Sequence, residues 1–457
     1  MVTWAIRLFV LSMFCANVAS SSPRELIFEG ESLGVNVGEV PPPPLANNEV
    51  IESGEDDPPP EDVIPQDSEI PNFTPLNPKW AKTSFAKQES ALGWSPEAFA
   101  VPKGMEARVA FWRDIYTKYN SNQGLLHDSK YVELVYEMVD FQDLDFNTLL
   151  STRQREKARK KRVDDRKKDI ANRLKRLQLL SSGEGLMGED LRYWTMFATV
   201  EDAKRFSEAA ERGRLRFQLG QRDIFMRGIF QSGRYIKQME EIFRQEGLPI
   251  ELTRLPFVES SFNLRARSRV GASGIWQFMR ATARMYMRMD GSADERNDPL
   301  RATRAAAKKM RDNFNMLKKW PLAVTAYNHG PSGVKRLVQR AGTDEIADLV
   351  DMRKGRFGFA SASFYASFLA ALDVEANTDR HFGILEVMPE LRGAEIQLVK
   401  NLDAKDIMKW FSGDEAMART LNPHVTEPVW KGRQALTRKH YLRVPLMQES
   451  QARSELE

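Results

Sequence analysis

From residue 80 onward the chain alternates long amphipathic stretches with short polar breaks, and hairpin signals are scarce. Residues 106–120 place Val109, Phe111, Trp112, Ile115 and Tyr116 at helical spacing. Residues 131–140 continue in the same period. Residues 153–176 hold thirteen Lys/Arg and four Asp/Glu, yet Val163, Ile170, Leu174 and Leu177 make one apolar stripe. Residues 221–246 form a further apolar-periodic run that Gly247 is placed to end. Pro249 then opens a helix carrying Ile250, Leu252, Leu255 and Val258, which runs out near Glu259-Ser260-Ser261-Phe262. Asp298 is placed as the N-cap of a helix starting at Pro299, with Leu300, Thr303, Ala307, Met310, Phe314 and Leu317 as its inner face. Pro321 starts a short apolar helix that ends in Tyr327-Asn328-His329-Gly330.

These patterns predict a mainly α protein. The C-terminal part differs. Residues 395–399 read as a strand, 403–410 and 414–421 as two short helices, and 440–445 as a closing strand. The expected division is a signal peptide over 1–22, an acidic Pro-rich tail over 23–75 and a helical N-terminal region over 76–244. A catalytic domain over 245–385 and a small α+β region over 390–447 follow.

The chain has 457 residues, 42% of them hydrophobic and 28% charged, enough for several cores and too polar for a polytopic membrane protein. Residues 1–7 carry Arg7 and no acid, residues 8–19 are an apolar run, and Val18-Ala19-Ser20 suits cleavage. Export to the periplasm or cell envelope follows, cleaved or with the segment kept as an anchor. Residues 23–75 contain eleven prolines and thirteen acids against Arg24 alone. Such a stretch buries too little to fold by itself. The net charge of +4 therefore hides a strongly basic remainder, which suits an anionic partner. The lone cysteine, Cys15, and five scattered histidines argue against disulfides, metal sites and thiol chemistry, and no cofactor is expected. The basic run at 153–176 fits acidic lipid, hence peripheral membrane association, or a plain solvated face. Nucleic acid is not expected, because no zinc finger, aromatic RNA-binding strand or phosphate loop accompanies it. A monomer is expected.

The chemistry concentrates between 249 and 331. Glu259 is flanked by Phe257, Val258 and Phe262, and no Asp or Glu occurs between Ser260 and Met289. Desolvation there raises a carboxyl pKa, to about 6 for a general acid against ~4.3 unperturbed. Arg265, Arg267, Arg269, Arg280, Arg284 and Arg288 would oppose that shift, so they are expected to face away. Gly271-Ala272-Ser273-Gly274 allows close backbone approach, and a helix beginning at Ile275-Trp276-Gln277-Phe278-Met279 would wall a sugar groove or make a tight helix turn. Asp298 reads as structural.

Glu259-Ser260-Ser261-Phe262, Ser268, Gly271 to Met279, Asn297-Asp298-Pro299 and Ala326-Tyr327-Asn328-His329-Gly330, in that order, resemble the soluble-lytic-transglycosylase domain of glycoside hydrolase family 23. The resemblance covers roughly 245–380. It implies a lysozyme-like helical fold and cleavage of peptidoglycan glycan strands. By the same resemblance Glu259 is the catalytic acid/base and Ser268 the serine bonded near it. Gln277 and Met279 contact sugar, Tyr327 with Asn328 closes the centre, and Tyr365 reaches the cleft. His329 receives no role. Glycosidases commonly use two carboxylates, whereas one candidate stands out here. The family resolves this by attack of the substrate's own 6-hydroxyl, giving 1,6-anhydro ends. A goose-type lysozyme hydrolase and a non-catalytic wall binder remain as alternatives. The 390–447 pattern is similar to a degenerate LysM module without its usual Gly-Asp turn, which leaves glycan binding and a structural cap equally open.

Overall fold

A computed structural model describes residues 98–352 and 357–456. The leader, the acidic tail and the first residues of the N-terminal region lie outside the described residues. The fold is mainly α, as the patterning predicts.

Helix α1 (Glu106–Thr117) buries Val109, Phe111, Trp112, Ile115 and Tyr116, the stripe read from sequence. It packs along α10 (Phe359–Ala376). Their seam includes a buried ion pair in which Arg113 donates to Asp373 at 2.5 Å. One apolar core runs from Phe99 and Ile115 through Leu255, Trp276 and Met310 to Val374. The region expected over 245–385 thus recruits α1 across the boundary expected at 244/245.

Residues 131–140 require a correction. Val135–Asp140 is a strand, β2, paired antiparallel with β1 (Gln123–Asp128), which also pairs with β3 (Leu215–Leu219). The order is β2-β1-β3, with Leu125 opposite Met138 and Leu126 opposite Phe217. Central β1 is buried along its whole length. Val135 and Val139 stand four apart, a helical step, but β-branched and aromatic side chains on a half-buried surface favour the sheet.

The basic helix α2 (Thr152–Gln178) turns Val163, Ile170, Leu174 and Leu177 onto a second core with Phe141, Tyr193 and Phe217. Helix α3 (Gly188–Met196) flanks it. Ser151 and Gln154 form a capping box at the start of α2. Several of its arginines are paired, Arg162 with Asp143 and Arg166 with Glu137 among them. These contacts fit a solvated face anchored by one apolar stripe.

The run at 221–246 is two helices, α4 (Arg222–Ser232) and α5 (Ile236–Gln245). Gly233-Arg234-Tyr235 separates them, where Gly233 lies too close to the Met388 backbone for a side chain. Pro249 opens a 3₁₀ turn over Ile250–Arg254 rather than an α-helix. The α-helix proper is α6 (Leu255–Glu259), with Pro256 in its first turn. Helices α7 (Pro299–Leu317), α8 (Trp320–His329) and α9 (Pro331–Ala341) follow, and α10 packs on both α6 and α8.

The C-terminal region has the two expected strands and the two expected helices between them, with a further helical turn, Glu427–Trp430, before the closing strand. Strand β4 (Ala394–Gln397) pairs antiparallel with β5 (Tyr441–Val444), Ile396 opposite Leu442. Between them lie α11 (Ala404–Met408) and α12 (Glu415–Leu421), and α13 (Glu449–Leu456) follows β5. Ile396, Ile407, Trp410, Leu421, Leu442 and Val444 form a third core. Among the described residues no helix is long and apolar enough to cross a membrane.

Candidate active site

Glu259 is the last residue of α6 and is buried, with 9% of its surface exposed. The helix stops there because Ser261 and Phe262 take left-handed conformations, φ 48° and 56°. Such φ values are costly for residues other than glycine and persist only where contacts over-determine them. Here the Ser260 and Phe262 N–H groups both donate to the Pro256 carbonyl, at 3.0 and 3.1 Å. The Ser260 hydroxyl donates to the Ile275 carbonyl at 2.9 Å, and Phe262 packs on Phe257. The carboxyl is therefore fixed at a terminus that bonds directly to the 271–279 segment.

That segment differs from the expected helix start. Residues 271–279 form turns and isolated bridges, and the next helical turn begins at Arg280. Its small residues keep it irregular. Gly274 has φ +77°, and a Cβ there would overlap the Arg296 carbonyl oxygen. We expect Gly274→Ala to cost at least about 1 kcal/mol, because alanine cannot adopt that conformation or fit that gap. Urea unfolding checks this, and a loss under about 0.3 kcal/mol would mean that the loop is free to move aside.

Trp276, fully buried, donates from Nε1 to the Thr303 hydroxyl at 2.9 Å and stacks on Phe243. Tyr327 of α8 donates its hydroxyl to the Trp276 carbonyl at 3.0 Å. Three segments thus converge on one place: the end of α6, the 271–279 loop and the end of α8.

The sequence-predicted residues are placed as follows. Gln277, half-buried with φ 45°, donates its amide to the Gly274 carbonyl at 2.8 Å, which shapes the loop. Met279, also half-buried, caps the turn after it. The Ser268 hydroxyl accepts from the Ala272 N–H at 2.9 Å, so its hydrogen bonds stay within its own turn. Asn328 is buried beside Tyr327, and its Oδ1 accepts from the Ser361 hydroxyl of α10 at 2.8 Å. Its amide nitrogen and the Tyr365 hydroxyl are both buried with no hydrogen-bond partner among the described residues. Tyr365 lies wholly inside α10's packing, 1% exposed. His329 stacks edge-on against Phe357.

The electrostatics follow the expectation in sign. Burial pushes the Glu259 carboxyl well above the usual carboxylate range, past neutrality, and Lys309 pulls it partly back. All six arginines between 265 and 288 are exposed. The cation that acts on Glu259 comes instead from α7, and sequence reasoning missed it. Lys309 lies one turn from buried Ala305 and Ala306 and one turn from buried Asn313, so the signal was a lysine on the inner stripe. Burial pushes its ammonium down, and Glu259 pulls it up. Tyr327 is raised well above the ordinary phenol, first by burial and then by Glu259, so it stays neutral. Glu251, in the 3₁₀ turn before α6, is buried and already has a partner. Asp298 is fully buried at the N-terminus of α7 and, as expected, is structural: it accepts from Leu300 and Arg301 N–H, both at 2.9 Å.

One buried, protonatable carboxyl within the electrostatic influence of a neutral tyrosine can give a proton to a bridging oxygen and take one back. Residues 237–350 match the Transglycosylase SLT domain family. The match bears out the resemblance seen in the motifs. The matched segment holds Glu259, Lys309, Trp276 and Tyr327 within its limits. The chain is 36% identical over 98 residues to the membrane-bound lytic murein transglycosylase D of Escherichia coli (strain K12), covering 21% of this chain and 22% of that protein. It is 35% identical over 96 residues to a putative tributyltin chloride resistance protein of Alteromonas sp. (strain M-1), covering 21% of this chain and 46% of that one. The chain thus aligns with only about a fifth of the length of the first of these relatives. A solved structure of an inactive mutant of the lytic transglycosylase Slt from Pseudomonas aeruginosa shares 18% identity, with a TM-score of 0.28 over 46% of this chain and 37% of that one.

Proposed function

We propose that the protein is a peptidoglycan lytic transglycosylase in which Glu259 is the single acid/base. The observation that carries this reading is the buried Glu259 carboxyl at the end of α6, raised by burial, in the segment that matches the Transglycosylase SLT domain. Glu259 begins the cycle protonated. It gives its proton to the oxygen bridging N-acetylmuramic acid and N-acetylglucosamine, and the bond from the anomeric carbon to that oxygen breaks. The acetamido group of the muramic residue stabilises the positive charge left at the anomeric carbon. The muramic 6-hydroxyl then attacks that carbon while the Glu259 carboxylate takes its proton. A 1,6-anhydro bond forms, the carboxyl is regenerated and no water is consumed. Because the nucleophile is already in the substrate, the attack gains the entropic advantage of an intramolecular reaction.

Gln277 and Met279 would line the sugar groove, with Ser268 near its rim. The Asn328 amide and the Tyr365 hydroxyl, both buried with no hydrogen-bond partner among the described residues, suit hydrogen bonds to substrate or an ordered water. The protein would be exported and act in the periplasm or cell envelope. Its basic surface fits anionic stem peptides and peripheral contact with membranes. The C-terminal α+β region would act as a LysM-like glycan contact or a cap on α7.

Mass spectrometry of purified murein digested with the full chain tests the reaction. Anhydromuramic ends are expected in nearly all released fragments. Reducing ends formed by water would make the enzyme a hydrolase and overturn the reading.

A further inference from the structure

Lys309 sits on the inner stripe of α7, in line with buried Ala302, Ala305, Ala306 and Asn313. Its ammonium donates to the Tyr327 carbonyl at 2.9 Å. It also lies 3.7 Å from the centre of the Tyr327 ring and 5.6 Å from that of Phe278. The Tyr327 hydroxyl is itself tied to the Trp276 carbonyl, so the support under the ammonium is rigid. Carbonyl and ring together hold the cation on α8. Tyr327 bonds the Trp276 carbonyl, and Ser260, next to Glu259, bonds the adjacent Ile275 carbonyl, so cation and carboxyl are tied to neighbouring residues of one loop, and each shifts the other's charge state.

A one-carboxylate mechanism makes a specific demand. The same group must be a neutral acid in the first half of the cycle and an anionic base in the second. An isolated carboxylate buried in apolar surroundings is costly, and that cost would return the proton before the 6-hydroxyl could attack. A fixed cation of opposite charge removes much of the cost without adding a second carboxylate. We propose that Lys309 is the positioning residue for Glu259, a fixed counter-charge that stabilises its carboxylate between giving up one proton and taking the next. The proposal rests on the reading of Glu259 as acid/base.

The other groups near the site leave this task to Lys309. Tyr327, from α8, is neutral, and Tyr286 behind it is bonded to Asp312 at 2.8 Å. Tyr365, from α10, is kept neutral by burial. Arg254, just before α6, is committed to Glu240 and Glu375. The six arginines of 265–288 face outward.

The test compares Lys309→Met and Lys309→Arg in the full chain, with Lys309→Gln read in the same way should the methionine variant fail to fold. Glutamate labelled with ¹³C at its side-chain carboxyl reports the Glu259 titration by NMR, assigned through Glu259→Gln, without substrate. Loss of the lysine is expected to raise the Glu259 midpoint by about one pH unit or more, a tenfold change in acidity. On murein it should lower kcat by roughly tenfold or more with KM within about twofold, and arginine should restore most of both. A Glu259 midpoint that stays put in a folded Lys309→Met or Lys309→Gln overturns the proposal, as does an unchanged kcat. The two readings fail separately. A shifted midpoint with full turnover in Glu259→Gln removes the acid/base role and leaves the coupling. An unmoved midpoint with turnover lost in Glu259→Gln does the reverse.

Discussion

Glu259→Gln is expected to lower the rate of glycan cleavage by roughly 10²–10⁴-fold while the protein stays folded. Below the raised pKa the native carboxyl is protonated, and an amide presents the same size and the same neutral charge to Lys309 and Tyr327. The stability change has a definite sign. The folded pKa lies above the unfolded value of ~4.3, so between the two the native state binds a proton that the unfolded state has released. In that window the wild-type protein loses stability as pH rises, whereas the substituted amide cannot titrate. The variant should therefore match wild type near pH 4 and exceed it at pH 7, as read from thermal or urea unfolding at both values. A variant with turnover within about threefold of wild type, on the same murein and with the same product ends, would mean that Glu259 is not the acid.

The reason the carboxyl was legible in sequence is local. Phe257, Val258 and Phe262 surround it within one turn, and the chain carries no other acid for the next thirty positions. The cap at Asp298, the stripes of α1 and α2 and the two strands and two helices expected in the C-terminal region were legible for the same reason. Each is set by side chains a few positions apart. What the sequence reading missed is non-local. Strand β1 pairs with β3 across about ninety residues that include all of α2, and no short-range period announces such a partner. Its other partner, β2, hides behind a four-residue spacing of valines that suits either element. Residues 271–279 looked like the start of a helix because Ile275, Trp276 and Phe278 are bulky and apolar. Their fate is set instead by Gly274 lodged against Arg296 and by Trp276 reaching Thr303, contacts that form only when α7 is in place. Lys309 lies between the two cases. Its position on the inner stripe is readable by counting turns from Ala302 to Asn313. A lysine beside another lysine, Lys308, reads as a solvated edge until α8 supplies the Tyr327 carbonyl and ring.

Asp298→Ala is expected to be the most destabilising single change in the described structure, at roughly 3–5 kcal/mol. Asp298 is wholly buried and performs two tasks. Its Oδ1 accepts from the Leu300 and Arg301 N–H groups and so caps α7, a contribution of about 1 kcal/mol on its own. Its Oδ2 accepts from the Tyr441 hydroxyl at 2.7 Å and from Arg443, both on β5. Arg443 is itself buried and also reaches Glu395 on β4. One carboxylate therefore ties the first turn of α7 to the closing strand of the C-terminal region. Alanine would leave the Arg443 guanidinium inside the protein with its main counter-charge gone, which is why the cost exceeds that of a lost cap. Asp298→Asn keeps most of the cap and loses the charge, so it should fall between wild type and alanine. Adding Arg443→Met to Asp298→Ala should recover part of the loss, because the stranded cation goes with it. Burial alone would push the Asp298 carboxyl up; the Arg443 guanidinium outweighs it, with help from His424 and the hydrogen bonds, and holds the carboxyl well below the usual range. A depressed folded pKa contributes stability that is complete above the unfolded value of ~3.9 and is lost as pH falls below it. The wild-type advantage over Asp298→Asn should accordingly shrink on acidification through pH 4. Urea unfolding of the four proteins at pH 7 and at pH 3.5 measures all of this. If Asp298→Ala costs no more than about 1 kcal/mol at pH 7, the carboxylate is only a helix cap and the brace between α7 and β5 does not hold the two regions together.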